Sequence, residues 1–369
     1  MSVEMKRPAG AQGVIQGRCV PPHPSSEVVR CTVCMTEVEE SAEADSDDES
    51  DEETTVLHPL LPHDRSALLW DEHRPTERLR ASIRRWVTAL MHDEGITGAL
   101  PRGEESVKAK VISRGSGRLA GITAANQLLL DWLPGADWSW SVSDGKDIHE
   151  GDTLLEIEAD RTQLLSAERI LLNIIGRLSG ITTNTRKWSS RAHPMRVAAT
   201  RKVHWGLLDK WAVHLGGGMT HRLTRSDARM LKENDLACLA IPDERLPHTV
   251  GRVLKELDLE ECGAFVDIEV RTIDGALAAA EAWTDRMQGI EDAQRLTLML
   301  DNMDEAKARQ VMLDLDARNF RHQIVVEASG GIGYDDLQTW KEVGVDVVST
   351  SGLHRGAKPL DLSMLFEGS

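Results

Sequence analysis

The sequence has no run of apolar residues long enough to cross a lipid bilayer, which would take roughly 20 of them. Its first thirty residues are polar and contain prolines, and they lack the apolar centre of a secretory signal. Only five cysteines are present, in an odd number and at wide spacings, which argues against a framework of disulfide bonds. These absences favour a soluble protein with reduced thiols, and we expect no membrane partner and a cytoplasmic location.

Basic residues are also in short supply. The 43 Lys and Arg residues are outnumbered by 60 Asp and Glu residues, and the formal net charge is −17. A surface that binds nucleic acid is expected to be basic, so this balance argues against such a partner. Much of the excess is local, because residues 37–53 contain eleven acids and no base. We therefore expect residues 1–60 to form a disordered acidic tail.

The tail contains four candidate zinc ligands. Two of them have the C-x-x-C spacing that is common in zinc sites, which would make a small zinc knuckle. The segment has few apolar residues with which to pack a zinc module, so incidental thiols in a flexible tail are the alternative. The candidate ligands are Cys19, His23, Cys31 and Cys34.

From Leu68 onwards the pattern becomes that of a folded domain. Apolar residues at helical spacing predict one helix over residues 77–92 and another over 164–178. Short apolar runs at 107–113 and 154–157 are typical of strands. We expect an α+β domain over residues 61–183, to which the C-terminal end of the chain could return.

The remaining residues, 184–369, alternate strands with helices. Six short apolar runs are separated by helix-like segments, which predicts βαβ units and a parallel sheet. Such units could close into a complete or incomplete α/β barrel, and barrels carry function at the C-terminal ends of their strands. The predicted strands are 197–200, 238–241, 265–270, 296–300, 324–328 and 345–349, and the helices include 276–282, 306–313 and 335–343.

Charged residues and small-residue turns gather at these predicted strand ends. Glu269 lies near the end of the third strand, and Asp301 ends the fourth. Two carboxylates near phosphates would suit Mg²⁺, which prefers oxygen ligands, with structural ion pairs to Lys or Arg as the alternative. Glycine turns let backbone N–H groups approach a phosphate, although each turn alone is more often only a turn. The two turns contain Ser329, Gly330 and Gly331, and Ser349, Ser351 and Gly352.

A set of cations lies between residues 200 and 234. Three consecutive glycines, 216–218, permit an unusual backbone path just before two of these residues. Arg pairs bidentately with carboxylates, so the set would suit a small substrate with several acid groups, whereas a basic stretch is otherwise usually a solvated surface. The candidate anion ligands are Arg201, Lys202, His221, Arg222 and Lys232.

The order of these motifs resembles the quinolinate phosphoribosyltransferase family. That family has Thr-Arg-Lys, Gly-Gly-Gly, His-Arg and a lysine ten residues after that arginine, and all are present here. The similarity covers about residues 68–369 and implies an α+β sandwich domain followed by an open α/β barrel of six or seven strands. Further matching segments are AERILLNIIGRLSGIT at 167–182, LDNM at 300–303, VEASGGI at 326–332 and GVDVVSTSGL at 344–353.

The resemblance implies an enzyme that joins quinolinate to phosphoribosyl pyrophosphate and forms nicotinate mononucleotide, pyrophosphate and CO₂. It implies that Lys202, Glu269 and Asp301 serve phosphoribosyl pyrophosphate with its Mg²⁺, and that the two small-residue turns bind the 5′-phosphate. It also implies a homodimer, since the family's counterpart of Arg169 reaches the neighbouring subunit's site. The carboxylates of quinolinate would be held by Arg169, Arg201, His221, Arg222 and Lys232.

Three loops depart from the family pattern. Residues 203–206 read VHWG where the family has TTPG, residues 232–235 read KEND where it has KDNH, and the acidic stretch near 92–98 is degenerate. These changes leave two other functions open. The enzyme could use another pyridine or aromatic acid, or the chain could be an inactive homologue that binds pyridine carboxylates. Retention of the candidate acids and cations argues against inactivity.

Overall fold

The structure is a computed structural model that describes residues 61–103 and 105–367. The acidic tail lies outside these described residues, together with the candidate zinc ligands Cys19, His23, Cys31 and Cys34. The described chain is a mixed α/β protein with an antiparallel sheet in its first part and a parallel sheet in its second. This arrangement confirms the predicted fold class.

In the first part of the chain, each of the two predicted helices begins at a residue whose side chain caps the helix N-terminus. Thr76 accepts a hydrogen bond from the Leu79 amide, and Asp160 accepts one from the Gln163 amide. The elements are β1 (Trp70–Asp71), β2 (Arg74–Pro75), α1 (Glu77–Asp93), β3 (Ser106–Ser113), β4 (Gly117–Arg118), α2 (Ile122–Trp132), β5 (Asp137–Trp140), β6 (Asp147–Ile148), β7 (Thr153–Asp160) and α3 (Arg161–Ala192).

Helix α3 is much longer than the predicted 164–178. It continues through Gly180, at the point where the segment 358–360 crosses the helix closely. A Cβ on Gly180 would lie 2.1 Å from the Lys358 carbonyl oxygen, so only glycine fits. Packing against the C-terminal segment therefore explains why residue 180 is glycine.

The second part of the chain alternates strands and helices as predicted. Its elements are β8 (Arg196–Ala199), α4 (Leu207–Leu215), β9 (Arg229–Leu231), α5 (Glu233–Leu239), α6 (Leu246–Glu256), β10 (Val266–Val270), α7 (Ile273–Met287), β11 (Leu296–Asp301), α8 (Glu305–Ala317), β12 (Ile324–Ser329), α9 (Leu337–Val343), β13 (Val347–Thr350), α10 (Gly352–Arg355) and β14 (Leu362–Phe366). Short 3₁₀ helices lie at Ser66–Leu68 and Arg321–Gln323.

Six described strands form the parallel sheet in the order β8-β13-β12-β11-β10-β9. Strands β8 and β9 follow one another in the sequence yet lie at opposite edges, which leaves the sheet open between them. The predicted strand at 238–241 is wrong, because these residues lie at the end of α5 and in the loop after it. The Asp235 side chain accepts a hydrogen bond from the Lys232 backbone amide at 3.0 Å, which starts a helix there. The short β9 forms the strand of the sheet in place of the predicted one.

The antiparallel sheet has the order β14-β3-β7-β5, so the last strand of the described chain pairs with β3. Its neighbour α3 is linked to the same C-terminal segment, because the Leu360 amide donates to the Gly176 carbonyl oxygen at 2.8 Å. Among the helices of the described residues, none is both long enough and apolar enough to cross a membrane.

Candidate functional site

A cavity of about 730 Å³ lies at the C-terminal ends of the parallel strands. Each strand of that sheet contributes at or just after its last residues, as is usual for barrels. Arg169 is exposed on α3 and does not line the cavity. The cavity brings together the other site residues that were predicted within the described part of the chain, namely Arg201, Lys202, His221, Arg222, Lys232, Glu269, Asp301, Ser329, Gly330, Gly331, Ser349, Ser351 and Gly352.

The two candidate metal-binding acids lie at the ends of adjacent strands. Lys232 Nζ donates to Glu269 Oε2, and Arg271 Nε donates to Asp301 Oδ2 at 2.9 Å. Burial opposes ionisation of Asp301, but hydrogen bonds from Asn302 and Arg271 hold the pKa of its carboxyl below the usual value. Both acids are thus paired with cations, as the alternative of structural ion pairs to Lys or Arg predicted. Arg271 was missed because it follows its strand on the exposed side.

The two predicted phosphate turns are restricted to glycine by packing. Gly330 has φ +102°, and a Cβ there would lie 2.5 Å from Asn302 Oδ1. A Cβ on Gly352 would lie 2.8 Å from the Trp188 ring. The Asn302 backbone N–H donates to the Ser329 carbonyl oxygen at 2.9 Å, which links the first turn to the end of β11. These contacts keep the backbone of both turns against the cavity, where a phosphate could reach it.

The anion-binding side of the cavity contains both free and fixed cations. Arg201 and Lys202 are exposed, and their side chains make no ion pair or hydrogen bond within residues 61–103 and 105–367. Arg222 is fixed, since its Nη1 donates to the Ala228 carbonyl oxygen at 3.3 Å. Burial, and then repulsion from Arg201, lowers the pKa of Arg222. Arg201 and Lys202 are therefore available to an incoming anion.

His221 is neutral, and its tautomer follows from its contacts. Burial lowers the pKa of its imidazole. The Arg222 amide donates to His221 Nδ1 at 2.8 Å, so that nitrogen carries no proton. The remaining proton lies on Nε2, which is 3.2 Å from Glu327 Oε2. His221 thus points its donor into the barrel interior, although it lines the cavity.

Below the cavity lies a buried polar cluster that we name the interior cluster: His63, His221, Asp267 and Glu327. His63 Nε2 contacts Glu327 Oε2 at 2.7 Å, and His221 Nε2 lies 3.8 Å from Asp267 Oδ2. Three of these residues were missed in the sequence. The sequence contained a hint of two of them, because Asp267 shares a strand face with Glu269 and Glu327 interrupts an apolar strand. No local pattern in the sequence indicated His63, because its partner Glu327 is 264 residues away.

The loop at 203–206, which departs from the family pattern, is fixed by a buried carboxylate. Asp209 Oδ2 accepts the amides of His204 at 2.8 Å and Trp205 at 3.1 Å. Arg177 binds both oxygens of Asp209 and lies over the Trp205 ring, 4.9 Å from its centroid. The Trp205 ring also stacks on Trp86 of α1. These contacts give the changed loop a defined position next to Arg201.

Lys210 lies behind Arg201 and Arg222 and is fully buried. Its Nζ donates to the carbonyl oxygens of Ala199, at 3.0 Å, and Thr220. Burial, and then repulsion from Arg201 and Arg222, lowers the pKa of Lys210 to about 7. The charge behind the anion-binding side therefore changes near neutral pH.

Two family models match the chain. The quinolinate phosphoribosyl transferase N-terminal domain matches residues 96–179, and the C-terminal domain matches residues 181–365. A "Probable nicotinate-nucleotide pyrophosphorylase (carboxylating)" of Methanothermobacter thermautotrophicus is 33% identical over 78% of this chain and 98% of its own. "Quinolinate phosphoribosyltransferase (decarboxylating) 1" of Nicotiana glauca is 30% identical over 79% of this chain and 83% of its own.

Solved structures show the same fold. The nicotinate-nucleotide pyrophosphorylase from Francisella tularensis superposes with a TM-score of 0.63 at 24% identity, over 78% of this chain and 96% of its own. NadC from Streptococcus pyogenes gives a TM-score of 0.61 at 25% identity, over 78% of this chain and 95% of its own. Together with the family models, these likenesses confirm the resemblance drawn from the sequence.

Proposed function

The chain belongs to the quinolinate phosphoribosyl transferase family, and from that premise we propose that it transfers a phosphoribosyl group from phosphoribosyl pyrophosphate to quinolinate. The products would be nicotinate mononucleotide, pyrophosphate and CO₂, a step of NAD biosynthesis. One observation carries the proposal. A single cavity of about 730 Å³ combines unpaired cations, two acids and two glycine turns.

The residues divide into three roles in this proposal. The unpaired Arg201, with Arg222 and the backbone around His221, would hold the carboxylates of quinolinate. The glycine turns at Gly330 and Gly352 would receive the 5′-phosphate through backbone N–H groups. Lys202 would bind the pyrophosphate and stabilise it as it leaves. The supporting observation is that all of these groups face one cavity.

Glu269 and Asp301 fit a magnesium ion by their chemistry. Both offer carboxylate oxygens at the cavity, and their side chains are 9% and 13% exposed, so they are reachable although largely buried. Each would exchange its present partner, Lys232 or Arg271, for the ion. Mg²⁺ bound there would supply positive charge that stabilises the leaving pyrophosphate.

The chain's own groups would mainly orient and stabilise charge. As pyrophosphate departs, positive charge develops on the ribose carbon, and the nearby carboxylates of Glu269 and Asp301 favour it. The pyridine nitrogen attacks that carbon. The carboxylate next to the nitrogen is then lost as CO₂, because the pyridinium nitrogen stabilises the carbanion that remains. That carbanion takes up a proton from water to give nicotinate mononucleotide.

A homodimer and a cytoplasmic location belong to the same proposal. Arg169 is exposed on α3, and within the described chain its side chain has no ion-pair or hydrogen-bond partner. It is therefore free to reach the cavity of a second subunit. The two described cysteines, Cys238 and Cys262, are free thiols, which suits a reducing compartment.

Product analysis tests the proposed reaction. The full chain is incubated with phosphoribosyl pyrophosphate, Mg²⁺ and quinolinate labelled in the carboxyl next to the ring nitrogen. We expect nicotinate mononucleotide, pyrophosphate and labelled CO₂ in equal amounts, and loss of all three when EDTA removes the metal. A chain that binds quinolinate but forms no product would reject the proposal and favour the inactive homologue.

A further inference from the structure

The segment of residues 61–65, which precedes β1, enters the interior of the open barrel. Leu61 packs against Ala198, Val325 and their neighbours inside the parallel sheet. His63 follows it and is 0% exposed. This segment precedes residue 96, where the match to the family models begins. It therefore lies outside the matched residues, and it contributes a side chain to the barrel interior.

The same segment is attached to the loop that carries His221 and Arg222. The Arg65 amide donates to Thr220 Oγ1 at 2.8 Å, immediately before His221. The Arg65 guanidinium pairs with Asp227 at 3.2 Å, and Asp227 in turn accepts the Leu223 amide at 2.9 Å. The backbone on both sides of His221 and Arg222 is thus tied to residues 61–65.

His63 and His221 share one acceptor. Glu327 Oε2 lies 2.7 Å from His63 Nε2 and 3.2 Å from His221 Nε2. The two imidazole rings meet edge to face with centroids 4.9 Å apart, and Phe265 packs against both. Because all four side chains are buried, neither imidazole can exchange its acceptor for water.

Three of these residues place ligand-type atoms within 4.8 Å of one another, as a metal site would. The tautomer of His221 argues against a metal. Its Nδ1 accepts the Arg222 amide at 2.8 Å, so its Nε2 carries the proton and has no lone pair to offer an ion. The interior cluster is therefore a hydrogen-bond network in which Glu327 accepts two N–H groups.

We propose that His63 is a positioning residue for the anion-binding side of the cavity, acting through Glu327 on His221. By sharing Glu327 Oε2, His63 fixes where that acceptor lies and therefore where the His221 donor points. The fixed ring keeps its Nδ1 on the Arg222 amide, which sets the backbone that carries the Arg222 guanidinium. The inference rests on the proposed function only for the identity of the anion.

Without His63, the imidazole of His221 would no longer be held to a single acceptor. Glu327 would lose one of two donors, and His221 Nε2–H could turn towards Asp267, whose Oδ2 is 3.8 Å away. The oxygens of Asp267 have no hydrogen-bond partner among the described residues, so they offer a competing acceptor. The Arg222 backbone would then have two arrangements instead of one.

Two variants of the full chain test the proposal. His63→Leu removes the donor, while His63→Gln keeps an N–H group for Glu327. The exposed His322→Leu is the matched control. Ring-¹⁵N NMR of histidine-labelled protein reads the His221 tautomer directly and needs no catalysis. We expect a single set of His221 ring shifts in the unmodified chain, in His63→Gln and in His322→Leu. In His63→Leu we expect shifts averaged between Nε2–H bonded to Glu327 and Nε2–H bonded to Asp267.

Quinolinate binding and kinetics give the second readout. For His63→Leu we expect KM and Kd for quinolinate to rise about tenfold with kcat changed less than about threefold, since ligand placement rather than chemistry is affected. For His63→Gln most of the affinity should return. If His63→Leu does not fold, His63→Asn replaces it, because its shorter amide does not reach Glu327.

Two outcomes would overturn the proposal. One is a folded His63→Leu protein with native His221 ring shifts and native quinolinate affinity. The other is stoichiometric zinc in the unmodified chain that His63→Leu abolishes, which would make the cluster a metal site. Averaged His221 ring shifts in a His63→Leu protein whose unmodified parent does not bind quinolinate would instead reject the proposed function and leave the positioning role intact.

Discussion

The rim of the parallel sheet and the barrel interior beneath it both contain ionisable side chains, but in different environments. On the rim, Arg201 and Lys202 are exposed and unpaired within the described chain, and Asp301 is paired with the half-exposed Arg271. In the interior, His63 and Glu327 are completely buried and bonded to each other. Rim charges can therefore exchange partners with a ligand, whereas interior charges cannot do so without a large desolvation cost.

The largest effect that we expect from the rim is substrate selection. Quinolinate has two carboxylates and nicotinate has one, so nicotinate would leave some cations of the cavity unpaired. A polar mismatch of this kind can discriminate by about 10⁴-fold. We predict that quinolinate is used and that nicotinate is essentially not, in competition assays with both acids. Comparable turnover of nicotinate would favour the alternative of another pyridine substrate and would make the rim less selective than its charges suggest.

The next effect separates catalysis from stability on the rim. We predict that Asp301→Ala and Glu269→Ala each lower turnover by about 10²–10³-fold, because each removes a group that stabilises charge in the transition state. Their melting temperatures should stay close to that of the unmodified chain, since the cations with which both side chains form ion pairs are themselves exposed. Asp316→Asn, an exposed acid on α8, is the matched control. Unfolding of both variants would show that their ion pairs are structural.

The interior should show the opposite pattern. Glu327→Ala removes the acceptor that two buried imidazoles share, at a cost of about 1–3 kcal/mol in the free energy of unfolding for each N–H group left unsatisfied. We predict a clear fall in stability in denaturant titrations, measured against Glu342→Ala, an exposed acid on α9. If Glu327→Ala is as stable as the unmodified chain, then the interior cluster does not support the fold, and the contrast with the rim fails.

The same contrast explains what the sequence could predict. Rim residues such as Glu269 and Asp301 follow apolar runs, and strand ends are readable from local pattern. The interior depends on contacts between distant segments, such as His63 with Glu327, which no local pattern encodes. Two further differences depend on such contacts. Residue 180, within the longer α3, is glycine because the distant C-terminal segment crosses it, and a side-chain cap at Asp235 starts a helix where a β-like run at 238–241 predicted a strand.

A smaller effect links the rim to pH. Burial, with repulsion from Arg201 and Arg222, lowers the pKa of Lys210 to about 7. A bound dianion offsets that repulsion and raises the pKa again, so binding takes up a proton. Quinolinate affinity should therefore be highest below pH about 7 and fall as pH rises, by at most about tenfold per pH unit for one proton.

Calorimetry in two buffers of different ionisation enthalpy measures this proton uptake. Lys210→Met should bind quinolinate with little pH dependence between pH 7 and 9, provided that its melting curve shows a folded protein. Lys187→Met, on the exposed face of α3, should behave like the unmodified chain. A Lys210→Met profile as steep as the original would assign the proton to another group.

The smallest effect is expected at the boundary between the acidic tail and the interior cluster. The residues that line the cavity lie at position 188 and beyond, and the tail's own candidates are the zinc ligands Cys19, His23, Cys31 and Cys34. Deletion of residues 1–60 removes the eleven clustered acids but leaves Leu61, His63 and Arg65 in place. We predict that kcat and KM change by no more than a few-fold.

A deletion six residues longer is the matched comparison. Removal of residues 1–66 takes away His63 and Arg65, and with them the contacts to Glu327, Thr220 and Asp227. This protein should show the raised KM and the averaged His221 ring shifts expected of His63→Leu, while the shorter deletion should not. Steady-state kinetics and ring-¹⁵N NMR on both deletions place the functional boundary between residues 60 and 66. Complete loss of activity in a folded protein that lacks only residues 1–60 would instead give the tail, with its candidate zinc ligands, a part in catalysis.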